Sequence, residues 1–262
     1  MTATAPHPSH IRGRRRGRRL RPGRRRLLEE LLPRISVRLP SAGDRLDWRG
    51  LYATSPQAIQ PAALWVEIGF GGGEHLAEQA RRHPEIGFIG AEIFVNGVAS
   101  LLAHVERLRL ENVRVHTDDA RPLLEALPDA SVGRLFLLFP DPWPKTRHAG
   151  RRFIADAALD TLARILADGA EFRFASDDAS YVRWTLRHLM ARPEFHWLAQ
   201  RPSDWRERPA DWPPTRYEEK AVAAGRHPAF LRFERVPRNP KISAASSDKS
   251  IAVGAEITIY RP

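Results

Sequence analysis

The sequence predicts an α/β fold: a mostly parallel sheet of seven strands with helices on both faces. From Leu64 onward, short apolar runs alternate with amphipathic stretches, the pattern of parallel strands joined by crossover helices. A glycine-rich segment, VEIGFGGGEHLAE, joins the first apolar run to the first amphipathic stretch, and acidic residues follow several later runs. With 262 residues and 42% hydrophobic content, the chain can bury one sizeable core, so we expect one main domain.

The individual elements follow from their periodicity. Strands are expected in LWVEIGF, IGFIGAEI, VRVHT, RLFLLFP, AEFRFAS, FHWLAQ and AFLRFERV. Helices are expected in GEHLAEQARR, NGVASLLAHVERLRL, IADAALDTLARILA and SYVRWTLRHLMAR, where apolar residues recur at helical spacing. Residues 27–33 predict a short helix ended by Pro33. Residues 201–227 form a Trp-, Pro- and Arg-rich insert that is too long for a simple turn, so we expect it to be functional.

Charge is concentrated at the N-terminus. Residues 1–38 hold twelve arginines against Glu29 and Glu30, a net charge of +10 out of +11 for the chain. We therefore expect residues 1–26 to be a disordered arm that meets a polyanion, while a solvated tail or an address signal stays open. Residues 27–61 are expected to be a helix and linker, 62–236 the main domain, and 237–262 a tail of unknown role.

Composition excludes several kinds of chemistry and location. The chain has no cysteine, which excludes disulfides, thiolate metal sites and cysteine nucleophiles, and no metal site is expected. No window has the length and apolar character of a membrane span, and no secretory signal precedes the main domain. We therefore expect a cytoplasmic protein without a membrane partner, either a monomer or a homodimer.

The glycine loop and its neighbouring acids predict a cofactor site. Gly69 and Gly71 can adopt positive φ and let a ligand approach the backbone. Glu67 lies inside the first strand, where it would repel a pyrophosphate but attract an amino acid's ammonium, which favours S-adenosylmethionine over NAD. Glu92 ends the second strand, where it could accept from the ribose hydroxyls of either cofactor. Asp118 and Asp119 follow the third strand at the expected adenine position, although Asp119 could equally be a helix N-cap.

The fourth strand runs into FPDPWPKTRH, which predicts the reacting edge of the site. Ligands of open α/β sheets bind beyond the carboxyl ends of strands, and the prolines hold Asp141 and Trp143 on a rigid backbone there. A structural turn with a buried tryptophan remains the alternative. The basic side chains that follow predict a grip on nucleic-acid phosphates, with a solvated loop as the alternative. They are Lys145, Arg147, Arg151 and Arg152.

These motifs resemble, in order, a known family. The segments VEIGFGGGEH, GAEI, DDARP, FPDPWPKTRH, FASDD and TRYEEKA are similar to those of bacterial tRNA (guanine-N7)-methyltransferases, over about residues 12 to 236. The resemblance implies a Rossmann-like class I methyltransferase fold and methylation of guanine at position 46 in the tRNA variable loop. It implies S-adenosylmethionine near Glu67, Glu92, Asp119 and Asp141. It also implies guanine or tRNA contacts from Lys145, Asp177, Thr215, Arg216, Tyr217 and Glu218.

The chemistry of guanine is consistent with this assignment. Its N7 carries a lone pair and can attack a sulfonium methyl without losing a proton, so no general base is required. We assign no histidine to proton transfer and expect His75 and His148 at the surface or beside phosphates. Asp177 and Glu218 are the candidates for reading the guanine N1 and N2 hydrogens, and Asp177 could instead cap the helix near Ser180. A basic RNA-binding scaffold without turnover and an NAD-dependent enzyme remain the alternatives.

Overall fold

The computed structural model describes residues 15–53 and 59–238. Within these ranges a seven-stranded sheet has the order β3-β2-β1-β4-β5-β7-β6. The strands are β1 Ala63–Ile68, β2 Ile86–Ala91, β3 Val113–His116, β4 Val132–Leu138, β5 Leu166–Ser176, β6 Phe195–Trp197 and β7 Ala229–Arg235. The first five run parallel to their neighbours, whereas β7 pairs antiparallel with β5 and with β6. The predicted α/β class with a mostly parallel sheet is confirmed.

The helices connect the strands and cover both faces of the sheet. They are α1 Pro22–Glu30, α2 Leu32–Ile35, α3 Gly50–Ala53, α4 Glu74–Arg82, α5 Val95–Leu108, α6 Ala120–Ala126, α7 Asp156–Ile165, α8 Ala179–Met190, α9 Ser203–Arg206 and α10 Arg216–Ala223, with a 3₁₀-helix at Thr146–Arg151. Alternate residues of β1 enter two separate hydrophobic clusters, Leu64 and Val66 on one face and Trp65 on the other. Both faces of the strand are therefore buried, as expected for a parallel sheet covered by helices.

The N-terminal region differs from the prediction. Helix α1 begins at Pro22, inside the segment expected to be a disordered arm, and it buries Leu27. Proline suits the first turn of a helix because its missing N–H would have no intrahelical partner. For the same reason Pro33 does not end a helix here but lies in the first turn of α2. Residues 1–14 of the predicted arm and 239–262 of the predicted tail lie outside the described residues.

The strand order creates a crevice at one edge of the sheet. The chain crosses outward in one direction from β1 through β2 to β3, and in the other direction from β4 to β5. The loops after β1 and β4 therefore diverge, and ligands bind at such a switch point beyond the carboxyl ends of the strands. The glycine loop and the Pro140–Pro144 segment both begin there.

Candidate active site

The glycine loop after β1 is held in a conformation that requires glycine. Gly69, Gly71 and Gly73 have φ of 68°, 56° and 78°, a region that residues with a Cβ rarely adopt. The first turn of α5 packs directly on this loop, since a Cβ at Gly97 would lie 2.2 Å from the Gly71 carbonyl oxygen. Gly69 is therefore the exposed glycine of this loop, whereas Gly71 and Gly73 are buried, with α5 packed against Gly71.

Glu92, directly after β2, binds the backbone of this loop. Its carboxylate accepts hydrogen bonds from the Gly71 N–H at 2.8 Å and from the Phe94 N–H at 2.9 Å. Burial raises the pKa of the Glu92 carboxyl, the backbone hydrogen bonds oppose this, and the negative charge of Asp141 adds to the increase. Glu92 and Asp141 thus influence each other electrostatically, although they follow different strands.

The two acids after β3 have different partners. Asp119 is the N-cap of α6: its Oδ1 accepts from the Arg121 N–H at 3.0 Å, and its carboxylate also pairs with the Arg121 guanidinium. The capping alternative is therefore confirmed, and contact of Asp119 with adenine stays a prediction. Asp118 is exposed and forms a 2.8 Å ion pair with Arg15.

The described part of the basic N-terminal segment, from Arg15 onward, lies at the rim of the same crevice. The Arg15 carbonyl accepts from the Val95 N–H at 2.9 Å, and Asn96 bonds the backbone of Gly17 at 2.8 Å and Arg18 at 2.7 Å. These contacts lie at the start of α5, four residues or fewer beyond Glu92. The backbone of this segment therefore lies against the start of α5, and the Arg15 side chain pairs with Asp118 after β3.

The loop after β4 is strained and rigidly anchored. Phe139 and Trp143 have φ of 50° and 44°, in the left-handed region, which costs about 1–3 kcal/mol per residue and is concentrated at functional sites. Arg152 donates to the Pro142 carbonyl at 2.9 Å and to Ser180 Oγ at 3.0 Å. Asp141 is exposed between the two strained residues. The loop therefore presents this carboxylate on a backbone that surrounding contacts hold in place.

Arg152 does not have the role that we predicted for it. Only 6% of this residue is exposed, and its guanidinium also packs over the Tyr181 and Trp184 rings, 5.1 Å from each centroid. The prediction of an RNA phosphate contact from Arg152 is therefore wrong, because its donors are directed into the protein. Lys145 and Arg147 are exposed, and Arg151 stacks over the Trp143 ring at 4.8 Å.

The insert before β7 contains α10, which lies at the crevice. Thr215 caps this helix by accepting from the Glu218 N–H at 3.1 Å, and Arg208 pairs with the Glu218 carboxylate at 2.9 Å. The Tyr217 ring lies over the glycine loop, because a Cβ at Gly71 would come within 2.8 Å of Tyr217 Cε2. The motif predicted to bind substrate is thus brought against the loop predicted to bind cofactor.

Two further predicted substrate residues are Arg216, the first residue of α10, and Asp177. Arg216 donates to Tyr217 Oη at 3.2 Å, with its guanidinium 5.0 Å from the ring centroid. Asp177, after β5, pairs with Arg226 at 2.5 Å, beyond the end of α10. The alternative role of Asp177 as an N-cap is wrong, since Asp178 caps α8 by accepting from the Tyr181 N–H at 2.8 Å.

Sequence reasoning missed one residue of the site. His75 was expected at the surface or beside a phosphate, but it is 2% exposed and its Nδ1 lies 2.7 Å from Glu67 Oε2. A glutamate in a buried strand requires a hydrogen-bond partner, and this requirement was the signal that could have located His75. The described ranges contain no group of three or more His, Asp or Glu residues able to hold a metal ion.

The strand order, the glycine loop and the acids after successive strands define a class I methyltransferase, a class that uses S-adenosylmethionine as methyl donor. A family model described as "Putative methyltransferase" matches residues 61–231. The chain belongs to the tRNA (guanine-N(7)-)-methyltransferase family, as its curated relatives establish.

Three relatives with that name illustrate the similarity. The protein of Rhodospirillum rubrum is 55% identical over 228 residues, 86% of this chain and 88% of its own length. That of Paramagnetospirillum magneticum is 52% identical, over 90% of this chain and 96% of its own. That of a Chelativorans species is 50% identical, over 86% of this chain and 94% of its own length. Across the part of the chain that the structure describes, no helix combines the length and apolarity needed to span a bilayer.

Proposed function

We propose that this protein transfers the methyl group of S-adenosylmethionine to N7 of a guanine in tRNA, at position 46 in the variable loop. The observation that carries the proposal is the contact of Tyr217 with Gly71, which joins the TRYE motif to the glycine loop at one crevice. Both motifs belong to the resemblance that implies this reaction, and the relatives named above carry the same activity in their names.

The residues at the crevice fit the proposed methyl donor. The glycine loop gives a ligand access to the backbone, while Glu92 and Asp119 follow the neighbouring strands with carboxylates that can accept from hydroxyl and amino groups. Glu67 supplies a further negative charge beneath the loop. S-adenosylmethionine would supply a methyl group on a positively charged sulfur.

Asp141 has the central role at the reacting edge. Methyl transfer to N7 breaks the bond from sulfur to methyl, forms the bond from N7 to methyl, and moves positive charge onto the purine without release of a proton. A carboxylate fixed near the purine stabilises that charge, and such preorganised electrostatic stabilisation requires no movement during the reaction. The anchored, strained backbone around Asp141 supplies this preorganisation.

The remaining predicted residues position the RNA. Asp177 and Glu218 can accept from the guanine N1 and N2 hydrogens once Arg226 and Arg208 release them or share them. Tyr217 offers an exposed aromatic surface on which a base can stack. Lys145, Arg147 and the N-terminal arginines supply phosphate contacts that fix the orientation of the RNA without reading its sequence.

The direct test is a labelling experiment on unmodified tRNA. The protein is incubated with a tRNA transcript and methyl-labelled S-adenosylmethionine, and the RNA is digested to nucleosides. We expect the label in N7-methylguanosine, and none in a matched transcript in which guanosine 46 is replaced by adenosine. Label in another nucleoside, or unchanged labelling of the substituted transcript, would contradict the proposal.

A further inference from the structure

The Glu67 and His75 side chains form a buried pair beneath the glycine loop. Glu67 lies in β1 and is 4% exposed, and His75 lies in the first turn of α4. His75 Nδ1 approaches Glu67 Oε2 to 2.7 Å, and the His75 ring packs edge-on against Phe136 with centroids 4.8 Å apart. Since a carboxylate only accepts, Nδ1 carries the hydrogen that makes this bond.

Gln79 determines the protonation of the other ring nitrogen. Its Nε2 donates to the Asp211 carbonyl at 2.8 Å, which requires the amide to point its NH₂ group in that direction. The same NH₂ group lies 3.4 Å from His75 Nε2. Nε2 must therefore accept rather than donate, because two donors would otherwise face each other. His75 is thus a neutral imidazole with its hydrogen on Nδ1.

A neutral His75 leaves the negative charge of Glu67 uncompensated. In the described ranges, His75 is the one side chain recorded within ion-pair distance of Glu67. A buried carboxylate without a cationic partner is costly, whereas an ammonium ion brought beside it is attracted strongly because solvent screening there is weak. The hydrogen bond to Oε2 fixes the direction of the carboxylate and leaves Oε1 to accept from a ligand.

We propose that His75 is a positioning residue for cofactor binding. As a neutral donor it orients Glu67 without cancelling its charge, so that the carboxylate receives the ammonium group of the methionine portion of S-adenosylmethionine. Gln79 supports this by excluding the protonated imidazole. The inference rests on the proposed function in one respect, namely that Glu67 faces the amino-acid end of the cofactor.

The test compares two ligands that differ at this end. S-adenosylhomocysteine carries the ammonium group, whereas 5′-methylthioadenosine keeps the adenosine and sulfur but has no amino acid. Affinities are measured by calorimetry for the full-length protein and two variants. His75→Leu removes the donor, and His75→Asn places an amide N–H near the position of Nδ1.

We expect His75→Leu to bind S-adenosylhomocysteine about tenfold or more weakly, since a hydrogen bond to a charged group is lost. Its affinity for 5′-methylthioadenosine should stay unchanged, and His75→Asn should restore most of the lost affinity. Equal losses of affinity for both ligands would show a merely structural role for His75 and overturn the proposal. Unchanged affinity of His75→Leu for S-adenosylhomocysteine would also overturn it.

The comparison is independent of tRNA methylation. If the wild-type protein binds S-adenosylhomocysteine but leaves guanosine 46 unmethylated, the proposed function fails while the ratio of the two affinities still decides the role of His75. If the wild-type protein does not distinguish the two ligands, the role proposed for Glu67 and His75 is wrong, whatever the labelling experiment shows.

Discussion

The ring of Tyr217 lies directly over the backbone of Gly71, so that a Cβ at this glycine would come within 2.8 Å of Tyr217 Cε2. The two residues are 146 positions apart in the sequence and belong to the two motifs assigned to substrate and cofactor. The contact therefore places the proposed substrate surface directly beside the proposed cofactor loop.

Gly71→Ala tests this surface. A φ of 56° strains alanine by about 1 kcal/mol or more, and the added methyl group displaces Tyr217. We expect affinity for S-adenosylhomocysteine to fall about tenfold, measured by calorimetry. Gly150→Ala is the control, because open space surrounds that position. Wild-type affinity in Gly71→Ala would show that the loop conformation does not matter.

Asp141→Asn tests the electrostatic role of the loop after β4. The substitution keeps the side-chain volume but removes the charge expected to stabilise the methylated purine, so the rate constant for methylation should fall about 100-fold or more. Affinity for tRNA, measured by filter binding, should stay within about twofold because Asp141 contributes no positive charge. Asp156→Asn, with its side chain 87% exposed in α7, serves as a control. A rate near that of the wild type would remove Asp141 from the reacting site.

Substitutions of Arg152 and Arg147 should have different effects on stability and RNA binding, although both residues belong to the basic stretch after β4. Arg152→Met leaves the Pro142 carbonyl and Ser180 without their donor, so the free energy of unfolding should fall by about 2–3 kcal/mol. Arg147→Met should leave the free energy of unfolding within about 0.5 kcal/mol of the wild type. It should reduce the slope of log tRNA affinity against log salt concentration by about one. Urea unfolding and salt titration measure the two effects. Equal stabilities of the two variants would contradict the structural role of Arg152.

Removal of residues 1–21 tests the basic N-terminal segment while keeping every residue of α1, which begins at Pro22. Seven arginines are lost, so tRNA affinity should fall and its dependence on salt should become shallower. A variant with the same seven arginines replaced by lysines keeps the charge and should retain most of the salt dependence. If the deletion leaves the dependence of tRNA affinity on salt concentration unchanged, the segment does not contact phosphate.

Glu171 should make folding sensitive to acid. Burial favours its neutral form, but hydrogen bonds and charge from Arg232 and Arg173 outweigh this and lower the pKa of Glu171 to about 2. Because the folded-state pKa lies below the unfolded value, the stabilisation is present above about pH 4.5 and is lost as the pH falls toward 2. Glu171→Gln should therefore lower stability at pH 7 and weaken its decrease in acid, measured by urea unfolding at several pH values. A Glu219→Gln control should follow the wild-type profile, since Glu219 is exposed.

The fold and the strand-end acids could be predicted from sequence because they depend on local patterns. Parallel strands place their carboxyl ends at one edge, so Glu92, Asp119 and Asp141 could be assigned to a common crevice from strand boundaries alone. The N-cap role of Asp119 could also be predicted from the sequence, since it depends on the helix that follows immediately. Each of these inferences needs only short-range information.

The errors have two sources: packing contacts that the sequence pattern does not show, and a local helix signal that was given too little weight. His75 and Gln79 lie four residues apart on one face of α4, and the partners that they meet include the Phe136 ring and the Asp211 carbonyl, 61 and 132 positions later in the chain. Arg152 could not be distinguished from Arg151 by charge alone, because only the packing of α8 makes one of them a structural residue. The start of α1 was missed because dense positive charge was given more weight than the proline at its first turn.

The strand β4 also divides the residues assigned to the site into two groups along the chain. Of the residues assigned to the methyl donor, Glu67, Glu92 and Asp119 precede β4, whereas Asp141 follows it together with Lys145, Asp177 and the TRYE motif. A chimaera joined in the turn before Val132 would thus take the glycine loop, Glu92 and Asp119 from one parent, and Asp141 with the proposed guanine-binding side chains from the other.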